Sequence, residues 1–229
     1  MHELESRFAA WVVRARWFII VACLVLVGIA TAGARHLTFT NSYRAYFGPE
    51  DPQLVAFEKL ENTYTKDDSI MLVVAPRGGQ VFTREVLGIV EALTERAWQI
   101  PFSNRVDSIT NFQHTEARED DLIVADLVKG AASLGDPEIA RLKAIALAEP
   151  QLRNFLLADD AGVTAVNVKI LLPGVNEIEE QPLMIKHVRD LAAEFESTYP
   201  DIDIYISGMG AFHVATSESA IADMRILAP

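Results

Sequence analysis

The sequence Ser69-Ile-Met-Leu-Val-Val-Ala75 contains a continuous apolar run, Ile70 to Val74, and is followed by Pro76 and Gly78-Gly79. A short apolar run that is bounded by turn residues is typical of a buried β-strand. Residues 69–75 are therefore predicted to form a buried strand that ends in a turn.

A helix and a second strand are predicted to follow this strand. Thr83 is a suitable N-cap for a helix that extends to about Trp98. The apolar face of this helix is predicted to consist of Val86, Val90, Leu93 and Ala97. Residues 105–111, with Val106 and Ile109 among polar side chains, are predicted to form the second strand.

The same strand–helix–strand order recurs near the C-terminus. A strand is predicted at residues 164–172, a helix at 177–199 and a last strand at 203–207. The buried face of this helix is predicted to consist of Met184, Val188, Leu191 and Phe195. Two such βαβ units predict an α+β domain, residues 69–210, whose ferredoxin-like sheet has its helices on one face.

A helical insertion, residues 112–157, is predicted between the two units. Its first helix is expected at residues 120–129 and its second at 136–148. In the second helix, Asp136 is predicted to be the N-cap and Pro137 the first helical residue, because both residue types are favourable at those positions.

An apolar stretch without charged residues extends over residues 17–34. As a helix that rises about 1.5 Å per residue, it would be about 27 Å long, close to the hydrocarbon thickness of a bilayer. Three arginines precede it and only Arg35 follows closely, so the N-terminus is predicted to be cytoplasmic and the residues after Arg35 extracytoplasmic. The alternative is a cleaved signal peptide, because Ala32-Gly33-Ala34 resembles a cleavage site.

The predicted organisation has four parts. Residues 1–35 are a cytoplasmic leader and a transmembrane helix, and residues 36–68 are a linker with a helix from about residue 53 to 64. Residues 69–210 form the α+β domain with its insertion. Residues 211–229 are predicted to be a helix that leads toward a second membrane helix, because the apolar content rises at Ile226-Leu227.

Composition argues against a nucleic-acid partner and against intrachain disulfides. The chain has a formal net charge of −12, and the acidic excess lies after residue 34. This charge would repel nucleic acid, so no nucleic-acid partner is expected. The single cysteine, Cys23, lies in the apolar stretch, so the exported region is predicted to fold without intrachain disulfides.

Neither a catalytic constellation nor a metal or cofactor site is predicted. The five histidines are too dispersed in the sequence to have the spacing of metal ligands. The acidic runs near residues 116–121 and 177–180 lack the pattern of a calcium-binding loop, so we interpret these runs as solvated helix ends. Gly208-Met-Gly210 has two glycines of a dinucleotide-binding turn, but His213 occupies the third glycine position. A tight turn between strand and helix is the favoured interpretation, and the chain is not expected to be an enzyme.

One aromatic group is a candidate substrate pathway. Tyr43, Tyr46 and Phe47 lie next to Arg44 in the linker, just outside the predicted membrane. These aromatics could line the route of a lipid-like substrate, or they could anchor the domain at the membrane interface. Anchoring is the favoured interpretation, and the two roles are compatible with each other.

The chain as a whole resembles the N-terminal part of the resistance-nodulation-division (RND) superfamily of exporters, in particular its mycobacterial-membrane-protein-large (MMPL) and hopanoid-transporter-like branch. The basic leader and the apolar stretch carry part of this resemblance. The other carrying segments are Asn41-Ser-Tyr-Arg-Ala-Tyr-Phe47, Asp51-Pro-Gln-Leu-Val-Ala-Phe57, Glu61-Asn-Thr-Tyr-Thr-Lys66, Pro150-Gln-Leu-Arg-Asn-Phe155 and Ser207-Gly-Met-Gly210.

The resemblance implies that the chain corresponds to the first membrane helix and first porter domain of a proton-driven exporter in the bacterial inner membrane. The implied partners are the lipid bilayer, the remaining membrane helices, the second porter domain and a hydrophobic or lipid-like substrate. A homo-oligomer is compatible with this architecture. The family's proton-relay carboxylates lie in later helices, so this chain alone is not expected to pump. The alternative is a single-pass, membrane-anchored periplasmic module that binds a ligand or partner without transport.

Overall fold

The structure is a computed structural model that describes residues 10–34, 47–48, 50–64, 69–118, 121–173 and 177–227. Its contacts divide the chain into two compact units, residues 1–46 and 47–229. The first unit contains helix α1, Arg16–Ala34. The second unit is a mixed α+β domain that contains the sheets.

The elements of the second unit follow one another in the order helix, strand, helix, strand, insertion, strand, helix, strand and helix. The first four are α2 (Pro52–Tyr64), β1 (Ser69–Pro76), α3 (Arg84–Ala97) and β2 (Ser103–Asp107). The insertion contains β3 (Gln113–Arg118), β4 (Asp121–Asp126), a 3₁₀ turn (Ala131–Ser133) and α4 (Asp136–Ala148). The last four are β5 (Thr164–Ile170), α5 (Glu177–Thr198), β6 (Ile202–Ser207) and α6 (Met209–Leu227).

The main sheet has four strands in the order β2-β5-β1-β6, and all neighbouring strands are antiparallel. Strand β1 is paired along both edges, with Leu72 opposite Val166 of β5 and opposite Ile206 of β6. The two βαβ units are therefore interleaved, because a strand of each unit lies between the two strands of the other.

Alternation along the strands gives the sheet two different faces. On one face, Ile70, Leu72 and Val74 of β1 and Val166 and Val168 of β5 are completely buried. The helices form one apolar core with this face: α3 contacts β2 and β5, α5 contacts β6, and α6 contacts β1 and β6. The buried strand predicted at residues 69–75 is thus confirmed.

Both long helices of the βαβ units pack with the face that their apolar spacing predicts. Thr83 caps α3 and accepts a hydrogen bond from the backbone N–H of Val86 at 3.1 Å. The four residues predicted for the buried face of α3 are all buried, as are the four predicted for α5. Hydrophobic periodicity therefore identified both helices correctly.

The second predicted strand is wrong beyond Asp107. Strand β2 ends there, and the side chain of Asn111 closes a turn over the residues that follow. Its Oδ1 accepts from the N–H of Ser108 at 2.8 Å, and its Nδ2 donates to the carbonyl oxygen of Val106 at 2.7 Å. Asparagine competes with strand pairing in this way because its short amide can bond the nearby backbone.

The first helix predicted in the insertion is also wrong. Residues 121–126 form strand β4, which pairs with β3 in an antiparallel hairpin. The Leu122-Ile123-Val124 segment suits a strand because two of its residues are β-branched. Glu116 and Asp121 of the predicted acidic run therefore lie in the strands of this hairpin and not at a helix end, and residues 119–120 lie outside the described residues.

Helix α4 lies at the predicted position, but its start differs by one residue. Gly135 is the N-cap and makes no side-chain cap bond, while Asp136 is the first helical residue. The Asp136 carboxylate instead accepts from Arg84 at 2.5 Å, and Arg84 also donates to the carbonyl oxygen of Leu134 at 2.5 Å. The Asp136 carboxylate therefore forms a tertiary ion pair with Arg84 and does not cap the N-terminus of α4.

Two arginine–glutamate pairs join the helices of the domain. Arg96 of α3 donates to both carboxylate oxygens of Glu194 of α5, at 2.9 and 2.8 Å. Arg189 of α5 donates to both oxygens of Glu218 of α6 at 2.8 Å. Because each carboxylate accepts hydrogen bonds from a guanidinium, the pKa of Glu194 and the pKa of Glu218 lie below the usual value.

The turn between β6 and α6 requires glycine. Gly208 has φ +101°, and a Cβ at this position would lie 2.4 Å from the backbone oxygen of Ser69. A Cβ at Gly210 would lie 3.2 Å from Cγ1 of Ile70, so α6 packs closely over β1. The Gly208-Met-Gly210 segment thus forms a tight turn between strand and helix.

The substitution Gly208→Ala is expected to lower the free energy of unfolding by about 3 kcal/mol, because it adds both backbone strain and a steric clash. The matched control is Gly88→Ala in α3, where the new Cβ would meet its nearest neighbour, Cβ of Ala131, at 4.0 Å. Gly88→Ala should stabilise the helix by about 0.5–1 kcal/mol. Chemical denaturation in detergent measures both variants, and equal stability of the two would contradict this account.

The substitution Glu194→Gln should reduce stability in a pH-dependent way. The pKa of Glu194 is lowered in the folded state, so its contribution is present above the unfolded-state pKa of about 4.3 and is lost as the pH falls through the folded-state pKa. Denaturation between pH about 7 and about 3 should show the difference from wild type shrinking in acid. Glu95→Gln, on the exposed side of α3, is the control, and a difference that does not change with pH would contradict the prediction.

Candidate functional site

Helix α1 has an apolar surface that the described structure leaves uncovered. The 18 residues from Arg16 to Gly33 have a mean hydropathy of 2.1, and no share of this window is buried in the described structure. The hydroxyl of Thr31 donates to the carbonyl oxygen of Val27 at 2.8 Å, so it is satisfied within the helix. Length and composition are those of a membrane-spanning segment, and an N-terminal signal sequence has the same properties.

The predicted aromatic group is described only in part. Tyr43, Arg44 and Tyr46 lie outside the described residues. Phe47 begins the second unit and is 42% exposed. Their role at a membrane interface or in a substrate pathway therefore stays a prediction.

The second face of the sheet carries a cleft of about 810 Å³. Its floor contains Arg105 and Asp107 of β2 and Asn167 and Lys169 of β5. Arg105 lies opposite Lys169 and Asp107 lies opposite Asn167, so the four residues form a two-by-two array across neighbouring strands. This array is on the face opposite the helices, because the alternating neighbours Val106 and Val168 belong to the buried core.

The polar groups of the floor are not equally satisfied. Arg105 Nε donates to Asp107 Oδ1 at 2.7 Å. Asn167 is only 2% exposed, and its Oδ1 has no hydrogen-bond partner in the described part of the chain. A buried acceptor without a donor costs about 1–3 kcal/mol, so this atom marks a position where a donor would be favourable.

The wall of the cleft is formed by the turn after β2 and by residues 149–156. Its apolar part consists of Phe112, Pro150, Leu152, Phe155 and Leu156. The backbone N–H of Ala165 and the hydroxyl of Thr164 both donate to the carbonyl oxygen of Leu156, at 2.9 and 2.8 Å, and hold this segment against β5.

Two titratable groups also lie in the wall. His114 Nδ1 is 3.9 Å from Glu149 Oε1, and both side chains are partly exposed. The cleft therefore combines a floor of charged and amide side chains, an apolar wall and one histidine–glutamate pair. Such a combination can bind a molecule that has both a polar and an apolar part.

Sequence reasoning did not identify the cleft. Its residues come from three separate stretches of the chain, 105–115, 149–156 and 167–169, that the fold brings together. One signal was present, because Asn167 and Lys169 are polar residues at alternate positions of a strand whose other residues after Thr164 are apolar. Residues 150–155 carry part of the family resemblance, which implies no role for them in the cleft.

A second groove of about 520 Å³ lies between α4 and the start of α3. Arg84 lines it, and its guanidinium is already bonded to Asp136 and to the carbonyl oxygen of Leu134. This groove is a packing feature of the insertion. Among the described residues, no group of three or more His, Cys, Asp or Glu side chains could hold a metal ion.

Comparisons with known proteins do not assign a family. No protein-family model matches the chain, and no curated protein matches its sequence. Its function must therefore be inferred from the apolar helix, the interleaved sheet and the cleft.

Proposed function

We propose that the chain is the membrane-anchored, extracytoplasmic porter part of a proton-driven RND-type exporter of the MMPL and hopanoid-transporter-like branch. Its cargo would be hydrophobic or lipid-like molecules. The observation that supports this proposal most is the antiparallel order β2-β5-β1-β6, formed by two βαβ units after an uncovered apolar helix. Two interleaved βαβ units in this order are typical of the ferredoxin-like fold that the family resemblance implies.

The orientation belongs to the same proposal. Arg14 and Arg16 lie at the N-terminal end of α1, and basic residues are enriched on the cytoplasmic side of membrane helices. The α+β domain then lies outside the cytoplasm, anchored to the bacterial inner membrane. An acidic domain is suited to that location, because it needs no contact with the anionic membrane surface.

Proton coupling has to come from other helices. The apolar stretch of α1 contains no aspartate or glutamate, and proton-driven transport uses ionisable groups within the membrane. The chain would handle substrate, while the remaining membrane helices and a second porter domain would supply energy coupling. It is proposed to act without enzymatic chemistry.

A second candidate function is a single-pass, membrane-anchored module that binds a ligand or partner in the periplasm. The cleft over β2 and β5 favours this alternative, because a binding site within one domain needs no transport. Both proposals place the domain on the same side of the membrane. They differ in whether the chain works with further membrane helices.

Transport in proteoliposomes separates the two proposals. The chain alone should not move a fluorescent hydrophobic dye, whereas the polypeptide of the complete natural reading frame should move it when a proton gradient is imposed. A protonophore should abolish this movement. If correctly inserted polypeptide moves no dye, or if the natural frame ends at Pro229, the exporter proposal is contradicted and the binding module is favoured.

A further inference from the structure

We infer that the cleft over β2 and β5 binds an uncharged hydroxylated aromatic molecule, of the class of phenols and naphthols. The inference concerns binding only, and it holds whether or not the chain belongs to a transporter. Three features of the cleft support it: a buried acceptor without a donor, a lining whose charges are balanced, and an exposed phenylalanine ring in the wall.

The buried acceptor leaves a place for a donor from a ligand. Two buried side-chain oxygens, Ser103 Oγ and Asn167 Oδ1, have no hydrogen-bond partner in the described part of the chain, and of these two residues only Asn167 lines the cleft. Its cross-strand neighbour Asp107 cannot be the donor, because an ionised carboxylate only accepts hydrogen bonds. A ligand hydroxyl that reaches Asn167 Oδ1 would therefore gain a hydrogen bond without breaking one within the protein.

Three other polar side chains of the cleft are already bonded. Both ends of the Asn111 amide are bonded to the backbone, and the Ser108 hydroxyl is bonded to neighbouring hydroxyls. The Nε2 group of Gln113 donates to the carboxylate of Asp126. A ligand hydroxyl at any of these groups would compete with an existing bond, whereas Asn167 Oδ1 offers an open acceptor.

The charged residues of the lining balance one another, which favours an uncharged ligand. Arg105 and Lys169 are basic, and Asp107 and Glu149 are acidic. Arg105 Nε donates to Asp107 Oδ1 at 2.7 Å, and Lys169 has an interaction of its own. Glu149 Oε1 lies 3.9 Å from His114 Nδ1. A charged ligand would lose hydration without meeting an unpaired opposite charge, whereas a phenolic hydroxyl, with a pKa of about 10, stays neutral.

An exposed ring in the wall favours an aromatic body over an aliphatic one. Phe155 is 57% exposed, although Leu152 and Leu156 of the same segment are buried. The segment is held by its own backbone, because the N–H of Asn154, at φ +62°, donates to the carbonyl oxygen of Leu157 at 2.8 Å. An aromatic ligand on Phe155 would gain an offset or edge-to-face contact beyond the area that it buries. A volume of about 810 Å³ is sufficient for a two-ring molecule.

The test is equilibrium dialysis of 2-naphthol against the full chain in phosphatidylcholine nanodiscs at neutral pH, with empty nanodiscs as the background. Three analogues isolate the features of this probe: 2-methoxynaphthalene lacks the donor, 2-naphthoate carries an anionic charge, and decahydro-2-naphthol lacks the aromatic rings. We expect saturable 1:1 binding of 2-naphthol above the background. The methyl ether and the naphthoate should bind about tenfold more weakly, and the saturated alcohol about threefold more weakly.

Two substitutions locate the site in the cleft. Asn167→Leu should lower the affinity for 2-naphthol by about tenfold and leave that for 2-methoxynaphthalene unchanged, because only the naphthol can donate to the amide. Phe155→Ser should weaken both ligands by a similar factor, about threefold or more. Lys143→Gln, in the separate groove beside α4, is the control and should change neither affinity. If Asn167→Leu does not fold, Phe155→Ser and the comparison of 2-naphthol with its methyl ether decide the test.

Several results would overturn the inference. Equal affinity of the wild-type chain for 2-naphthol and its methyl ether would show that no donor is recognised. Tighter binding of 2-naphthoate would show a site for anions. Binding that does not exceed that of empty nanodiscs, or that neither cleft variant changes, would show partition into the lipid. Because no proton gradient is applied, each of these results leaves the transport proposal to be judged by its own experiment.

Discussion

Strand β1 is the element on which the rest of the domain depends, because it is hydrogen-bonded along both edges. It joins β5 of the second βαβ unit on one side and β6 on the other. Ile70, Leu72 and Val74 present three fully buried side chains to the helices, and each such burial contributes about 1.5–3 kcal/mol. Without this strand, β6 would lose its only neighbour in the described sheet, and the core would lose its central buried side chains.

The two faces of the sheet have different roles. The face toward the helices is apolar and holds the fold together. The other face carries the array of Arg105, Asp107, Asn167 and Lys169, in which Oδ1 of Asn167 is buried without a hydrogen-bond partner among the described residues. A strand of alternating character can serve both purposes because successive side chains point to opposite faces. The structure therefore separates its stabilising residues from its candidate binding residues.

Local patterns in the sequence predicted the elements that have strong periodicity, and failed where distant partners decide the structure. The spacing of Val86, Val90 and Leu93 predicts α3, because one turn of helix places them together. Residues 121–126 form a strand that is paired along residues 113–118, and the sequence of either segment alone does not specify this pairing. The cleft was missed for the same reason, since Asn167 meets Asp107 through strand register, which single-sequence patterns do not reveal.

The proposed role requires that the α+β domain is anchored outside the cytoplasm. Cysteine labelling in intact spheroplasts tests this location most directly. In a Cys23→Ser background, Ser6→Cys reports on the leader and Ser197→Cys on the exposed end of α5. A membrane-impermeant maleimide should label Ser197→Cys in intact spheroplasts and Ser6→Cys only after permeabilisation. The reverse pattern would contradict the orientation, and release of a soluble domain that lacks the first 34 or so residues would show a cleaved signal peptide.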